Sequence, residues 1–183
     1  FAFATPFVTA YEAKKMERAA LDFDDLISKA KALLEDPAVA QWVLFRLDGG
    51  VDHVLVDEAQ DTSPDQWDIV RLLTQEFSTG VGANPDRART VFVVGDKKQS
   101  IYSFQGADPE GFDRMKDHFA GELSKVEKTL QDSELLYSFR SSDAILQLVD
   151  QTFQGDMADG LGDRIKHIAF KGDMPGRVDV WPM

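Results

Sequence analysis

The 183-residue sequence contains no cysteine. Disulfides, Cys-ligated zinc and iron–sulfur clusters are thereby excluded, and the composition suits a cytoplasmic setting. No apolar run reaches about 18 residues, so no membrane-spanning helix is expected, and no secretory signal pattern is evident. Histidine is scarce. His53, His118 and His167 are scattered without metal-ligand spacing, and each reads most simply as a surface or core side chain. Positive charge is in deficit, with 20 Lys and Arg against 32 Asp and Glu and a net charge of −12. Taken alone, that deficit argues against a nucleic-acid surface. The sequence also has no G-x-x-x-x-G-K-[ST] segment, so it lacks the Lys that reaches the β/γ-phosphates and the Ser/Thr that holds Mg²⁺ in phosphate-binding loops.

What is present has the texture of an ordinary soluble globular protein, 43% hydrophobic and 28% charged, of one domain or somewhat more. The chain starts at Phe1 and stops within strand-like "GRVDVWPM", which reads as a piece of a larger protein. Met16, Ala20, Phe23, Ile27, Ala30 and Leu34 recur at helical spacing through Tyr11–Leu34 and predict one apolar face, with Asp22 able to cap a second helix inside that stretch. A short helix is expected over Pro37–Arg46, then a turn at Gly49-Gly50. Strands are expected over Asp52–Asp57 and Thr90–Val94. Both are continuously apolar, as in strands buried on both faces of a parallel sheet. Between them "SPDQ" predicts a helix start, with Ser63 as N-cap, Pro64 at the first position, Gln66 completing a capping box, and Ile69, Leu72 and Leu73 as the buried stripe. A polar loop, "STGVGANPDRAR", leads to the second strand. A third strand is expected near Glu134–Ser138, then a helix in "SSDAILQLVDQTF" with Ile145, Val149 and Phe153 on one side, then a loop, "GDMADGLGD".

A strand, a helix and a second buried strand make a parallel β-α-β unit. Open parallel sheets bind ligands beyond the carboxyl ends of their strands. The first strand ends at Asp57-Glu58, and the second runs through Gly95-Asp96 into "KKQSIYSFQGAD", so Asp57, Glu58 and Gln99 are expected to converge on one edge. Of two such acids, one can hold Mg²⁺, largely through water. The other can orient and deprotonate an attacking water. A nearby Gln amide can sense a terminal phosphate, and an Arg such as Arg140 in "YSFRSS" can balance charge on a transferred phosphoryl group. A lone Asp-Glu after a strand is often only a solvated strand end. Two apolar strands leading into DEAQD and GDxxQS, followed by Arg-Ser-Ser, form a far rarer combination.

These residues carry a resemblance. "VLVDEAQDTSPDQW" resembles motif II of the superfamily 1 DNA helicases related to UvrD, Rep and PcrA; "VVGDKKQSIYSFQGAD" resembles their motif III and "SFRSS" their motif IV, and "LDFDDLI" recurs upstream of motif II in that family. The forms "LDGGVDHVLVDEAQDTSPDQW", "GDKKQSIYSFQGADP" and "RVDVWPM" are similar to the AddA-type subunits of the AddAB helicase–nucleases of alphaproteobacteria. The resemblance implies an α/β fold: part of a RecA-like (P-loop NTPase-type) parallel sheet with flanking helices over residues 1–140, and the beginning of a second motor domain over 141–183. It implies ATP and Mg²⁺ as cofactors, Asp57 serving Mg²⁺, Glu58 as the base for ATP hydrolysis, and Gln99 and Arg140 at the γ-phosphate. Tyr102 and Phe104 would stack on single-stranded bases, which suits the π-face that every base offers; simple packing under the loop is their bland alternative. Relatives often carry Trp and Arg where this chain has Phe104 and Gln105, so a basic contact is in doubt. Asp22, Asp24 and Asp25 fit capping and packing better than catalysis.

The resemblance also implies partners: single-stranded and double-stranded DNA ends, an AddB-like nuclease–helicase chain, and the rest of the same polypeptide. The family's motifs V and VI and any nuclease signature are missing from this sequence, so the chain would carry the middle of a motor and be close to inert alone. Two other classes remain open. One is an acidic protein-interaction module without nucleotide chemistry of its own. The other is a nucleotide-dependent enzyme with no DNA role, against which the aromatic loop after Gln99 speaks.

Overall fold

A computed structural model of the chain describes residues 3–48, 51–77, 88–100, 106–158 and 166–181. The expected Gly49-Gly50 turn, most of the polar loop before the second strand, Tyr102, Phe104, and part of the loop after Gln154 lie outside the described residues. The N-terminal part is helical: α1 (Ala4–Glu17), α2 (Phe23–Glu35) and α3 (Pro37–Asp48). The single apolar face expected from Met16 to Leu34 is not continuous. The chain leaves the helix after Glu17 and passes through Ala19 at φ 48, so Met16 and Phe23 end up exposed while Leu34 is buried. Asp22 starts α2 in a full capping box, its carboxylate accepting from Asp25 N–H at 2.9 Å while the Asp25 carboxylate accepts from Asp22 N–H at 3.0 Å. Lys15 reaches across from α1 and donates to both carboxylates at 2.8 Å. Its ammonium, with help from the Asp25 N–H, holds Asp22 down at about 2.

β1 (His53–Val56) and β2 (Thr90–Val93) pair in parallel, with Leu55 opposite Phe92 and Val56 opposite Val93. Burial on both faces is not what the structure gives. Val54, Val56, Val91 and Val93 are half-buried, whereas Leu55 and Phe92 are 72% and 58% exposed. Side chains alternate across a strand, and among the described residues only one face of this two-stranded sheet is covered. Between the strands, α4 (Pro64–Thr74) begins as the sequence predicts: Ser63 accepts from Gln66 N–H, and the Gln66 side chain accepts from Ser63 N–H at 2.8 Å. Helix α4 packs against α2, where Lys31 bridges to Asp65 at 2.7 Å and to Asp68 at 2.6 Å. That ammonium lowers Asp68 below its ordinary range.

The deepest side chain of α4 is Trp67, 3% exposed, rather than the expected Ile69, Leu72 and Leu73, which are half-buried. It lies against the start of α5 (Pro109–Ser124): a Cβ on Gly111 would stand 3.2 Å from Trp67 Cδ1. Asp108 caps α5 by accepting from Gly111 N–H at 3.0 Å and donates its own N–H to the Thr62 carbonyl at 3.3 Å, tying this helix to the segment after β1. The third strand is shorter than expected. β3 (Tyr137–Ser138) pairs in parallel with β4 (Ile168–Ala169) in a separate sheet, and α6 (Asp143–Thr152) lies between them in sequence. On α6 the buried residue is Leu146; Ile145 and Phe153, expected inside, are largely exposed. No helix among the described residues is long and apolar enough to cross a membrane.

The Trp67 position yields a stability prediction. Its Nε1 is buried with no hydrogen-bond partner among the described residues. Trp67→Ala should cost about 3–5 kcal/mol through the cavity it leaves. Trp67→Phe should cost much less, because the lost volume is offset by removal of an unpartnered buried donor. Urea unfolding followed by circular dichroism measures both; equal losses would show that the indole nitrogen carries no penalty.

Candidate functional site at the carboxyl ends of β1 and β2

The register fixes what should follow the strands. Val56 faces Val93, so Asp57 stands opposite Val94, and Val94 N–H donates to the Val56 carbonyl at 2.9 Å as a regular parallel ladder requires. The next bond of such a ladder would run from Glu58 N–H to the Val94 carbonyl. Instead Ala59 N–H makes it, at 3.0 Å. One extra residue has been inserted, and it is Glu58, in the left-handed region at φ 50, ψ 46. For a residue with a Cβ that conformation costs about 1–2 kcal/mol. The displaced Glu58 N–H is not lost: the Asp57 carboxylate accepts it at 2.9 Å. The two adjacent acids thus form a β-bulge in which one caps the other, a device that re-aims side chains at sheet ends.

Beyond the bulge the chain makes a short 3-10 turn over Ala59–Asp61. Gln60 on this turn is 1% exposed, the most deeply buried large side chain among the described residues. A buried amide needs partners for both ends, and here it has them. Gln60 Nε2 donates to the Glu58 carboxylate at 2.6 Å, and Gln60 Oε1 accepts from Asp96 N–H at 2.9 Å. The ends of β1 and β2 are therefore joined through one side chain. Gly95 makes the approach possible, because a Cβ there would stand 2.7 Å from Gln60 Oε1 and 3.0 Å from Ala59 N. Asp96 in turn caps the 3-10 turn Lys97–Gln99, accepting from Lys98 N–H at 3.1 Å and from Gln99 Nε2 at 3.1 Å.

The structure brings Asp57, Glu58, Asp96 and Gln99 to the same edge through a continuous run of hydrogen bonds, Glu58 to Gln60 to Asp96 to Gln99. Asp57, Glu58 and Gln99 are exposed. Arg140 is exposed in the turn after β3, and among the described residues no hydrogen bond or ion pair joins it to this edge. Tyr102 and Phe104 lie outside the described residues. Sequence patterning does not single out Gln60. The signal that could have found it is Gly95: a glycine closing a central strand asks what approaches it closely.

Chemically, the edge offers hard oxygen donors on a rigid mount. Asp57 uses Oδ1 on Glu58 N–H, and a single carboxylate oxygen fits Mg²⁺, which keeps several of its waters and takes one or two protein carboxylates. No cluster of three metal-ligating side chains occurs among the described residues. A separate cleft of about 280 Å³ is lined by Asp24, Ile27, Ser28, Ser63 and Gly106, none of which belongs to the acidic edge.

Comparison with known proteins agrees with this geometry. The UvrD/REP helicase N-terminal domain family matches residues 2–120. The chain is 33% identical over 159 residues to the AddA-type chain of the ATP-dependent helicase/nuclease of Latilactobacillus sakei, covering 86% of this chain and 16% of that protein. It is 30% identical over 193 residues to the protein of the same name from Geobacillus thermodenitrificans, covering 96% of this chain and 14% of the relative. Against the Clostridium botulinum protein of that name, identity is 32% over 163 residues, with 86% and 12% covered. The chain thus spans well under a fifth of the length of the relatives it matches.

The close approach at Gly95 makes a prediction. Gly95→Ala should destabilise the fold by about 1–3 kcal/mol, the usual range for overpacking, because its Cβ would meet backbone as well as the Gln60 amide. Denaturant unfolding is the measurement. A change within a few tenths would mean that the two strand ends separate easily and the clasp is loose.

Proposed function

The chain belongs to the UvrD/REP helicase family, and on that premise we propose that it is the motif II-to-IV part of an ATP-driven DNA helicase chain of the helicase–nuclease type. The observation that carries the reading is the joining of the Asp57-Glu58 bulge to the Asp96–Gln99 turn through buried Gln60. That arrangement sets a prospective base and a prospective phosphate sensor on one rigid edge. The fold is mixed α/β with small parallel sheets, and we take the first sheet as part of a RecA-like motor domain over residues 1–140, with residues 141–183 beginning a second. Separation of the strands into β1–β2 and β3–β4 supports two units.

In this reading Glu58 accepts the proton of the water that attacks the γ-phosphate of ATP. Asp57 would hold Mg²⁺, which when bound offsets charge on the phosphates. Gln99 reaches the γ-phosphate. Its amide donates to Asp96 in this structure, so engaging a phosphate means exchanging that partner, and the exchange transmits the nucleotide state to the loop that follows. Tyr102 and Phe104 on that loop stack on single-stranded bases. Arg140 approaches the γ-phosphate as the two units close. The parent acts on single-stranded DNA and duplex ends beside an AddB-like chain, in the cytoplasm. The names of the relatives, each one subunit of an ATP-dependent helicase/nuclease, support both DNA and a partner chain.

In the full-length protein that carries this chain, Glu58→Gln should abolish DNA-stimulated ATP turnover while sparing ATP binding, since size and hydrogen bonding are kept and the base is removed. Turnover within about tenfold of wild type, a barrier change under about 1.4 kcal/mol, would show that Glu58 is not the base.

The 183-residue chain alone should show no ATPase and weak binding of ATP–Mg²⁺ and of single-stranded DNA. Phosphate-loop amides and their Lys supply much of the grip in complete sites. Without them, each close pair of like charges between triphosphate and carboxylate costs about 1 kcal/mol in water. Titration with ATP–Mg²⁺ and with labelled single-stranded DNA tests both. Micromolar ATP affinity with turnover would mean that another segment cradles the phosphates. Tight capture of a partner chain with no effect of Glu58→Gln in the full-length protein would favour the acidic interaction module instead.

A further inference from the structure

We propose that Gln60 is a positioning residue for ATP hydrolysis, holding the Glu58 carboxylate in its working direction by anchoring it to the end of β2. The inference rests on the reading of Glu58 as the base. Three observations carry it. Glu58 sits on an inserted residue in a left-handed conformation, so the ladder does not fix its side chain. The Gln60 amide makes the hydrogen bond to that carboxylate, at 2.6 Å. The other end of the same amide is pinned by Asp96 N–H at 2.9 Å, in a space that the missing Cβ of Gly95 leaves open.

A solvated glutamate at this place would sample several rotamers. General-base catalysis requires the carboxylate within hydrogen-bond reach of one water in one pose. The planar amide of Gln60, nearly devoid of solvent contact, removes that freedom. Because it spans the two strand ends, it also makes the direction of Glu58 depend on the position of Asp96. Asp96 holds Gln99. When Gln99 leaves Asp96 for a phosphate, the far end of the Gln60 amide feels the change, and the base is aligned in step with phosphate sensing.

The test uses the full-length protein with ATP and single-stranded DNA, and two substitutions. Gln60→Glu keeps an oxygen for Asp96 N–H and removes only the donor to Glu58. Gln60→Met keeps the length and removes both bonds. Both variants should lower kcat by about tenfold or more, with the KM for ATP within about threefold, because phosphate binding is left intact. Placed in the Glu58→Gln background, Gln60→Met should cause no further loss, since a residue acting through the base has nothing left to position. Equal losses in both backgrounds would reveal a merely structural role and overturn the proposal. A KM that rises while kcat holds would overturn it too. A Gln60→Glu protein with full kcat, beside an inactive Glu58→Gln protein, would sink the role of Gln60 alone. Sustained turnover by Glu58→Gln would instead remove the reading of Glu58 on which the proposal stands.

Discussion

The hydrogen bond from Ala59 N–H to the Val94 carbonyl organises the candidate site. It skips one residue of the ladder, and everything acidic at the sheet edge follows from that skip. Glu58 is forced into the left-handed region, and Asp57 turns its carboxylate onto the orphaned N–H. The chain is then delivered early into a 3-10 turn, which carries Gln60 under the end of β2. A regular ladder would have sent the Glu58 backbone into the sheet and left no buried place for the amide. The strained residue is also the one whose side chain is proposed to do chemistry, a coincidence common where a fold trades local stability for direction.

The consequences reach past the sheet. Thr62 and Asp108 join just beyond the bulge, and that bond sets the start of α5 over Trp67. The motif II segment, the turn after β2 and α5 are thereby assembled as one packed unit. The residues that could sense a nucleotide rest on the same support as the segment that leads from them into α5. A shift at the edge therefore has a stiff connection to follow.

Much of this was legible in the sequence. Ser63, Pro64 and Gln66 announced α4, and Asp22 announced α2, because capping boxes are local and depend on side chains three residues apart. The strands were legible from their β-branched runs, and their parallel pairing from the helix between them. Burial was not. Leu55 and Phe92 look like core side chains in sequence, yet coverage depends on what packs over a sheet face, which no strand encodes in itself. The same limit explains why α6 turned Leu146 inward rather than Ile145 and Phe153. The bulge was hidden too, since Asp-Glu after an apolar run is compatible with a straight continuation. Gly95 and Gln60 lie 35 positions apart, and only the register of β1 on β2 brings them together.

How this edge keeps its acids charged bears on its use. Asp57 takes a backbone N–H, Glu58 takes the Gln60 amide, and Asp96 takes the Lys98 N–H and the Gln99 amide. All of these donors are neutral. Nearby cations are directed elsewhere, Lys97 to Asp113 and Arg114 to Asp108. A carboxylate held by neutral donors is fixed in place without being neutralised, unlike one locked in an ion pair. The edge therefore stays negative and oriented, which is what a metal-bound phosphate and an attacking water require. An isolated triphosphate is repelled by the same charge. Affinity must then come from positive groups outside this edge, and the carboxylates are free to serve the transition state rather than the grip on the ground state.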